Sequence, residues 1–132
     1  MAADLATIVA GLVSFNASRT EREDRRTVAV LCRQAGRIVG GANGYTHWGW
    51  LSVSHLWVDD ARRGQGVGRR LMASMEDEAR CRGCRAALVD TFSFQAPGFY
   101  RAIGYRQFGE LVDFPPGHIR HFFCKELEPS RG

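Results

Sequence analysis

Between a β-rich run, Trp50 to Val58, and a stretch of helical apolar spacing lies the segment Arg62-Arg63-Gly64-Gln65-Gly66-Val67-Gly68-Arg69-Arg70. Gly64, Gly66 and Gly68 remove side chains from a loop entering a helix, where backbone N–H groups can then approach a ligand closely. The first turn of a helix has unpaired N–H groups and a partial positive charge, so a phosphate placed there is stabilised. Arg63, Arg69 and Arg70 add full charges beside it. Alone, such a loop could merely turn the chain out of a strand. With a strand before it, a helix behind it and arginines around it, the segment reads as a diphosphate cradle.

Two common phosphate-binding classes fit poorly. A phosphate-loop nucleotide hydrolase needs a Gly-Lys-Ser/Thr ending, which is absent. In the dinucleotide fingerprint counted from Gly64 and Gly66, Arg69 occupies the third glycine position, and no second βαβ repeat follows. Asp90 does lie about twenty residues on, where that fold places its ribose-binding acid.

The elements around the loop read from periodicity. Residues Asp4 to Phe15 set Leu5, Ile8, Val9, Leu12 and Val13 at helical spacing, and Ser18 to Arg26 reads as a surface connection. Thr27 to Cys32, the turn Gln34-Ala35-Gly36 and Arg37 to Gly41 form a hairpin signal. Asn43-Gly44 is a second turn signal, although Tyr45 and Thr46 could prolong the strand beyond a bulge. Past the loop, Val67, Leu71, Met72, Met75 and Ala79 predict a helix from about Gly66 to Arg82, with Glu76, Asp77, Glu78, Arg80 and Arg82 on its other face. Gly83 stops it, and Ala86 to Thr91 is a short buried strand. Pro97 opens a short helix to about Ala102, closed by Gly104. Tyr105 to Leu111 and Ile119 to Leu127 are the last strands. This order predicts a mixed α/β sheet in one domain, residues 1–132.

Composition narrows the partners. Seventeen of the eighteen basic residues are arginines, which suits phosphate or carboxylate recognition, but they are spread among fourteen acids. A nucleic-acid surface is not expected. No run approaches the roughly 20 apolar residues of a membrane helix, and no basic segment followed by an apolar run opens the chain. A cytosolic protein without membrane association is expected. Cys81 and Cys84 have C-x-x-C spacing, but no second ligand pair accompanies them, so reduced thiols are expected and no metal.

The segment Arg63-Gly64-Gln65-Gly66-Val67-Gly68 resembles the cofactor loop, Arg/Gln-x-x-Gly-x-Gly/Ala, of the GNAT superfamily of acetyl-CoA-dependent N-acetyltransferases. Leu56-Trp57-Val58-Asp59 looks like the end of that family's fourth strand. Gln95-Ala96-Pro97-Gly98-Phe99-Tyr100-Arg101-Ala102-Ile103-Gly104-Tyr105 is similar to its later motif, an aromatic pair in a short helix ending in Gly-Tyr. The resemblance covers Leu51 to Tyr105. It implies a GNAT-like fold, a central twisted mixed sheet of about six strands flanked by helices. The family usually opens with a β-strand, whereas here a helix begins almost at Met1. Either the chain start is shortened or the sheet lacks that edge, and a homodimer could complete it.

By the same resemblance, the backbone of Leu56, Trp57 and Val58 pairs with the pantetheine arm of acetyl-CoA. The groups from Gly64 through Gln65, Gly66, Val67 and Gly68 to Arg69, with Arg63, hold its pyrophosphate. Gln95 and Phe99 complete the cofactor site. Tyr100 becomes the general acid that protonates the departing CoA thiolate, which suits a phenol of pKa near 10; a core aromatic beside Phe99 is the lesser alternative. Where the family often carries a carboxylate base, this chain has Ser54 and His55. His55 could serve, since histidine titrates near pH 6.5 when unperturbed. A structural role for His55, a role for Asp90, or water alone are the other readings.

His47, Trp48, Trp50, Asp113, His118 and His121 together suggest a small, partly aromatic acceptor site. The expected function is transfer of an acetyl group from acetyl-CoA to a primary amine, by direct attack through a tetrahedral intermediate. A small-molecule acceptor is expected over a protein lysine or N-terminus. The other class to exclude is an acyl-CoA-binding or regulatory module that retains the cradle without the chemistry.

Overall fold

The structure is a computed structural model that describes residues 1–21 and 23–129; Arg22, within the connection after the first helix, lies outside it. Among the described residues, three α-helices and six strands follow one another as α1 (Ala2–Ala17), β1 (Arg26–Gln34), β2 (Arg37–His47), β3 (Trp50–Val58), α2 (Val67–Cys81), β4 (Ala86–Phe92), α3 (Pro97–Ala102), β5 (Arg106–Val112) and β6 (Ile119–Glu126), with a single 3-10 turn at Asp60–Arg62 before α2. The strands form one sheet in the order β1-β2-β3-β4-β6-β5. Only β3 and β4 run parallel, from Trp50↔Ala86 to Val53↔Val89; every other neighbouring pair is antiparallel. This is the mixed sheet expected from the sequence.

The second turn signal resolves as a bulge. β2 continues through Asn43-Gly44 to His47, and its register with β3 shifts between these two residues. A side chain at Gly44 would run into the Ser52 carbonyl oxygen, so the close approach admits only glycine.

α2 packs on β1, β2 and β3 because its apolar stripe meets theirs. Leu51, Met72, Met75 and Phe123 are the largest side chains wholly removed from water. Burying each is worth about 1.5–3 kcal/mol. Gly40 sets the contact distance, since a Cβ there would press on Val67 and Leu71 of α2 at 3.2 and 3.3 Å.

Glu76 departs from its expected place on the polar face of α2. It is 4% exposed. Its Oε2 accepts a hydrogen bond from the Tyr105 hydroxyl at 2.8 Å, and its Oε1 accepts one from Lys125 Nζ at 2.9 Å. Lys125 also donates to the Ile103 carbonyl at 2.9 Å. A buried carboxylate is tolerated only when its oxygens are satisfied in this way.

α1 is helical as expected, yet none of its residues is buried. Leu5, Ile8, Leu12 and Phe15 are each more than half exposed. Among the described residues, no helix is long and apolar enough to cross a membrane.

Candidate active site

The two parallel strands part company after four residue pairs. Pairing of β3 with β4 ends at Val53↔Val89, and the bulge opposite Asn43-Gly44 leaves Ser54 without a partner on β2. A bulge bends its strand and increases the local twist, so β3 swings away from β4 from this point. β4 meanwhile stays paired with β6 as far as Phe92↔Arg120. The result is a cleft of about 800 Å³ between the ends of two parallel strands.

Most of the sequence-expected residues converge on this cleft. Leu56, Trp57 and Val58 line one wall, with His55 before them; Arg63, Gly64, Gly66, Val67, Gly68 and Arg69 line one end; Gln95, Phe99 and Tyr100 line the other wall. Gln65 does not line it. Its side chain turns back to donate to the Ala61 carbonyl at 3.3 Å, and its own carbonyl accepts from Arg70 Nη1 at 3.1 Å.

The loop's backbone explains its glycines. Gly64 has φ +78° and Gly66, the residue capping α2, has φ +79°. These left-handed conformations cost any other residue about 1–2 kcal/mol. The first intrahelical bond of α2 is from Arg70 N to Gly66 O at 3.1 Å, so the preceding N–H groups remain available at the mouth of the cleft. Gly68 lets α2 close on α3, where an added Cβ would sit 3.4 Å from the Phe99 ring.

Tyr100 is 6% exposed and packs edge-on against Phe99 and Tyr105. Burial raises its phenol to about 12, with the nearby Asp90 charge adding in the same direction. It is therefore protonated throughout the neutral range. Tyr105 is raised further, first by burial and then by the charge and hydrogen bond of Glu76. Gln95 braces the turn after β4: its Oε1 accepts from Thr91 Oγ1 and from Phe92 N, both at 2.9 Å.

His55 is exposed, with Nδ1 at 2.9 Å from Asn43 Oδ1. Asn43 stands opposite His55 in the β2–β3 register. With the amide oxygen accepting the Nδ1 proton, Nε2 carries the lone pair of the ring.

The proposed acceptor set divides. His47 and Trp48 stack on each other at the β2–β3 turn, and Trp50 pairs with His47 there, at the opposite end of β3 from the cleft. Glu21, Glu23 and Asp24 hold that turn. His47, Trp48 and Trp50 are therefore not part of the cleft lining. Asp113 has φ +59° and its Oδ1 accepts from Gly117 N, closing the β5–β6 loop. His121 bonds Gln107. Only His118 approaches the cleft, edge-on to Phe94 at 4.9 Å between ring centres.

The cleft is also lined by Ser54 and Asp90, weighed above only at the base position, by Arg62 of the arginine run, and by Thr91 and Phe94, which the sequence reading did not single out. Arg62 Nε is shut off from water and has no hydrogen-bond partner among the described residues. Its neighbours in the arginine run were the available signal.

The sheet is thus parted between two parallel strands, with an arginine-flanked glycine loop at one end of the gap and a buried tyrosine on its side. The chain matches the acetyltransferase (GNAT) family over residues 9–105 and belongs to it. It is thus an acyltransferase by family. It is 46% identical over 97 residues to the blasticidin-S acetyltransferase of Streptomyces morookaense, covering 73% of this chain and 71% of that one. Its fold superposes on the crystal structure of an acetyltransferase from Bacillus cereus with a TM-score of 0.88 and 37% identity, over 92% of this chain and 90% of the other. An aminoglycoside 6'-N-acetyltransferase complexed with coenzyme A shares the fold at a TM-score of 0.68 and 19% identity, over 80% and 76% of the two chains.

Proposed function

We propose that the protein transfers the acetyl group of acetyl-CoA to a primary amine on a small molecule. The observation that carries this reading is Tyr100, a protonated phenol on the wall of a cleft whose far end is the glycine loop. In this reading, the pyrophosphate of acetyl-CoA lies against Gly64 to Arg69, with Arg62 and Arg63 beside it. The pantetheine arm follows Leu56, Trp57 and Val58, whose backbone has lost its neighbour on the β4 side. The thioester then comes to rest between β3 and Tyr100.

The incoming amine must be neutral to attack. His55 Nε2, or water in its place, accepts the proton the nitrogen sheds, and the N–C bond forms as the carbonyl oxygen takes the negative charge. Collapse of this tetrahedral species breaks the C–S bond, and the Tyr100 hydroxyl gives its proton to the departing thiolate. Holding both reactants in one gap supplies most of the acceleration, and the proton transfers supply the rest. A small-molecule acceptor is supported by the relative named for blasticidin S. Release of free thiol from acetyl-CoA on addition of amines tests the reading, and none across a broad panel with acetyl-CoA demonstrably bound would overturn it.

One observation favours a second reading. Ser54 and His55 stand where a carboxylate base would be expected, which is compatible with a module that binds acyl-CoA without turning it over. Loss of turnover in Tyr100→Phe at unchanged cofactor affinity separates the two.

A homodimer in the cytosol belongs to the proposal. It is supported by the apolar stripe of α1, by the open edge of β1, where residues 27–32 carry no charge, and by four cysteines that are all free thiols.

A further inference from the structure

Arg120 on β6 is held from several sides. Its Nε donates to Asp90 Oδ1 at 3.0 Å. Its guanidinium carbon lies 5.1 Å from the ring centres of Phe114 and Phe122 and 5.6 Å from that of Phe92. Three rings and one carboxylate thus fix the plane of the group, each ring contributing cation–π attraction. Arginine carries five N–H donors in a rigid fork, and only the one on Nε is used. Among the described residues the four on Nη1 and Nη2 have no hydrogen-bond partner, although the side chain is only 29% exposed. Among the described residues, Asp90 likewise spends only Oδ1.

This pair borders the reaction site. Asp90 and Phe94 both line the cleft with Tyr100. From Phe94 a row of rings runs through Phe92, at 5.4 Å, to Phe114, at 6.2 Å from Phe92, and so to Arg120. The exposed faces of Phe94 and Phe114 leave the row open to an apolar body.

We infer that Asp90 and Arg120 form a zwitterion-binding subsite, so that the acceptor is an amine carrying a carboxylate on the same or an adjacent carbon, with an aromatic body that lies over Phe94. This deepens the acetyl-transfer reading and rests on it for the location of the reacting amine. The carboxylate takes the unused fork of Arg120, a paired, charge-assisted geometry. The ammonium meets the unused oxygen of Asp90 before it gives up its proton. The two charges of the ligand oppose the two charges of the protein, and the fork is already oriented when the ligand arrives.

Phenylalanine, phenylalanine amide and phenethylamine differ at the carboxylate and, through it, in amine basicity, so their kcat/KM values with acetyl-CoA, each referred to the fraction of neutral amine at the assay pH, test the subsite. Wild type is expected to favour phenylalanine over the amide by about 10-fold to 100-fold, and Arg120→Gln to bring that ratio close to 1, chiefly through KM. Arg120→Lys, which keeps the charge and loses the fork, should fall between them. A wild-type preference for the amide or for phenethylamine, or an equal loss on all three compounds in Arg120→Gln, overturns the inference.

Calorimetry separates its failure from that of the acetyl-transfer reading. N-acetylphenylalanine titrated into the CoA-saturated protein should bind wild type at least about 10-fold more tightly than Arg120→Gln. Arg120-dependent binding without turnover of any amine would retain the subsite and refute the enzyme. No binding to wild type refutes the subsite.

Discussion

The Tyr105 hydroxyl donates a 2.8 Å hydrogen bond to Glu76 inside the core and so ties the helix that carries the glycine loop to the segment that carries Tyr100. This gives the closing Gly-Tyr of the second motif a physical reason. Gly104 takes φ +99° with Lys125 packed against it, and Tyr105 is thereby delivered to Glu76. Tyr105→Phe leaves one oxygen of a buried carboxylate unpaired, at a cost of about 1–3 kcal/mol. The urea midpoint should fall at unchanged m, and acetyl-CoA affinity should weaken with it as the loop and Tyr100 lose their common anchor.

Tyr100→Phe removes the proposed acid and leaves its packing. Turnover should fall about 10²-fold or more while the dissociation constant for acetyl-CoA stays within about twofold. Single-turnover kinetics beside a binding titration measure both.

The same phenol predicts a pH dependence of stability. Its folded value of about 12 lies above the ordinary value of 10, so folding favours the neutral form. The stability this contributes is complete below pH 10 and is lost as the pH rises through 10 towards 12. Over that range, wild type should lose about 2 kcal/mol more than Tyr100→Phe, which has no proton to release there. Denaturant midpoints at pH 9 and 11.5 suffice to compare them.

Gly66→Ala is expected to weaken acetyl-CoA binding about 10-fold. The added Cβ meets a left-handed backbone and sits 3.2 Å from Arg70 Nη1. At Gly98 of α3 nothing lies within 4 Å of such a Cβ and the backbone φ is ordinary, so Gly98→Ala should leave binding as it was. Equal losses in the two variants, read by calorimetry, would remove the loop's backbone from the account.

Light scattering on the eluting protein should give the mass of a dimer. Leu12→Glu, which charges the middle of the α1 stripe, should halve that mass and leave the far-ultraviolet spectrum of the sheet in place. A monomer in wild type would show that the stripe and the open edge serve no self-association.

The elements were legible in the sequence because they rest on local signals. β3 occupies Trp50–Val58 as its apolar run predicts, and α3 occupies Pro97–Ala102 between its proline and glycine. The cleft followed from the family pattern more than from any single residue. What escaped depends on long-range register. Asp90 and Arg120 are thirty positions apart and meet only because β6 returns beside β4. Glu76 looked like a surface acid since nothing nearby in sequence announces Tyr105 and Lys125 as its partners. The stacked His47 and Trp48 suggested a binding site by composition, but the chain places them at the wrong end of their strand.

The short parallel ladder from Trp50↔Ala86 to Val53↔Val89 makes the sheet two three-stranded blades sharing a brief seam. The helix α2 packs mainly on the first blade, through β1, β2 and β3. The Glu76 anchor reaches across to the second. A ligand filling the gap bears on both blades at once and works as a splint, so loading the donor should slow amide exchange along β3 and β4 together, including at residues it never touches.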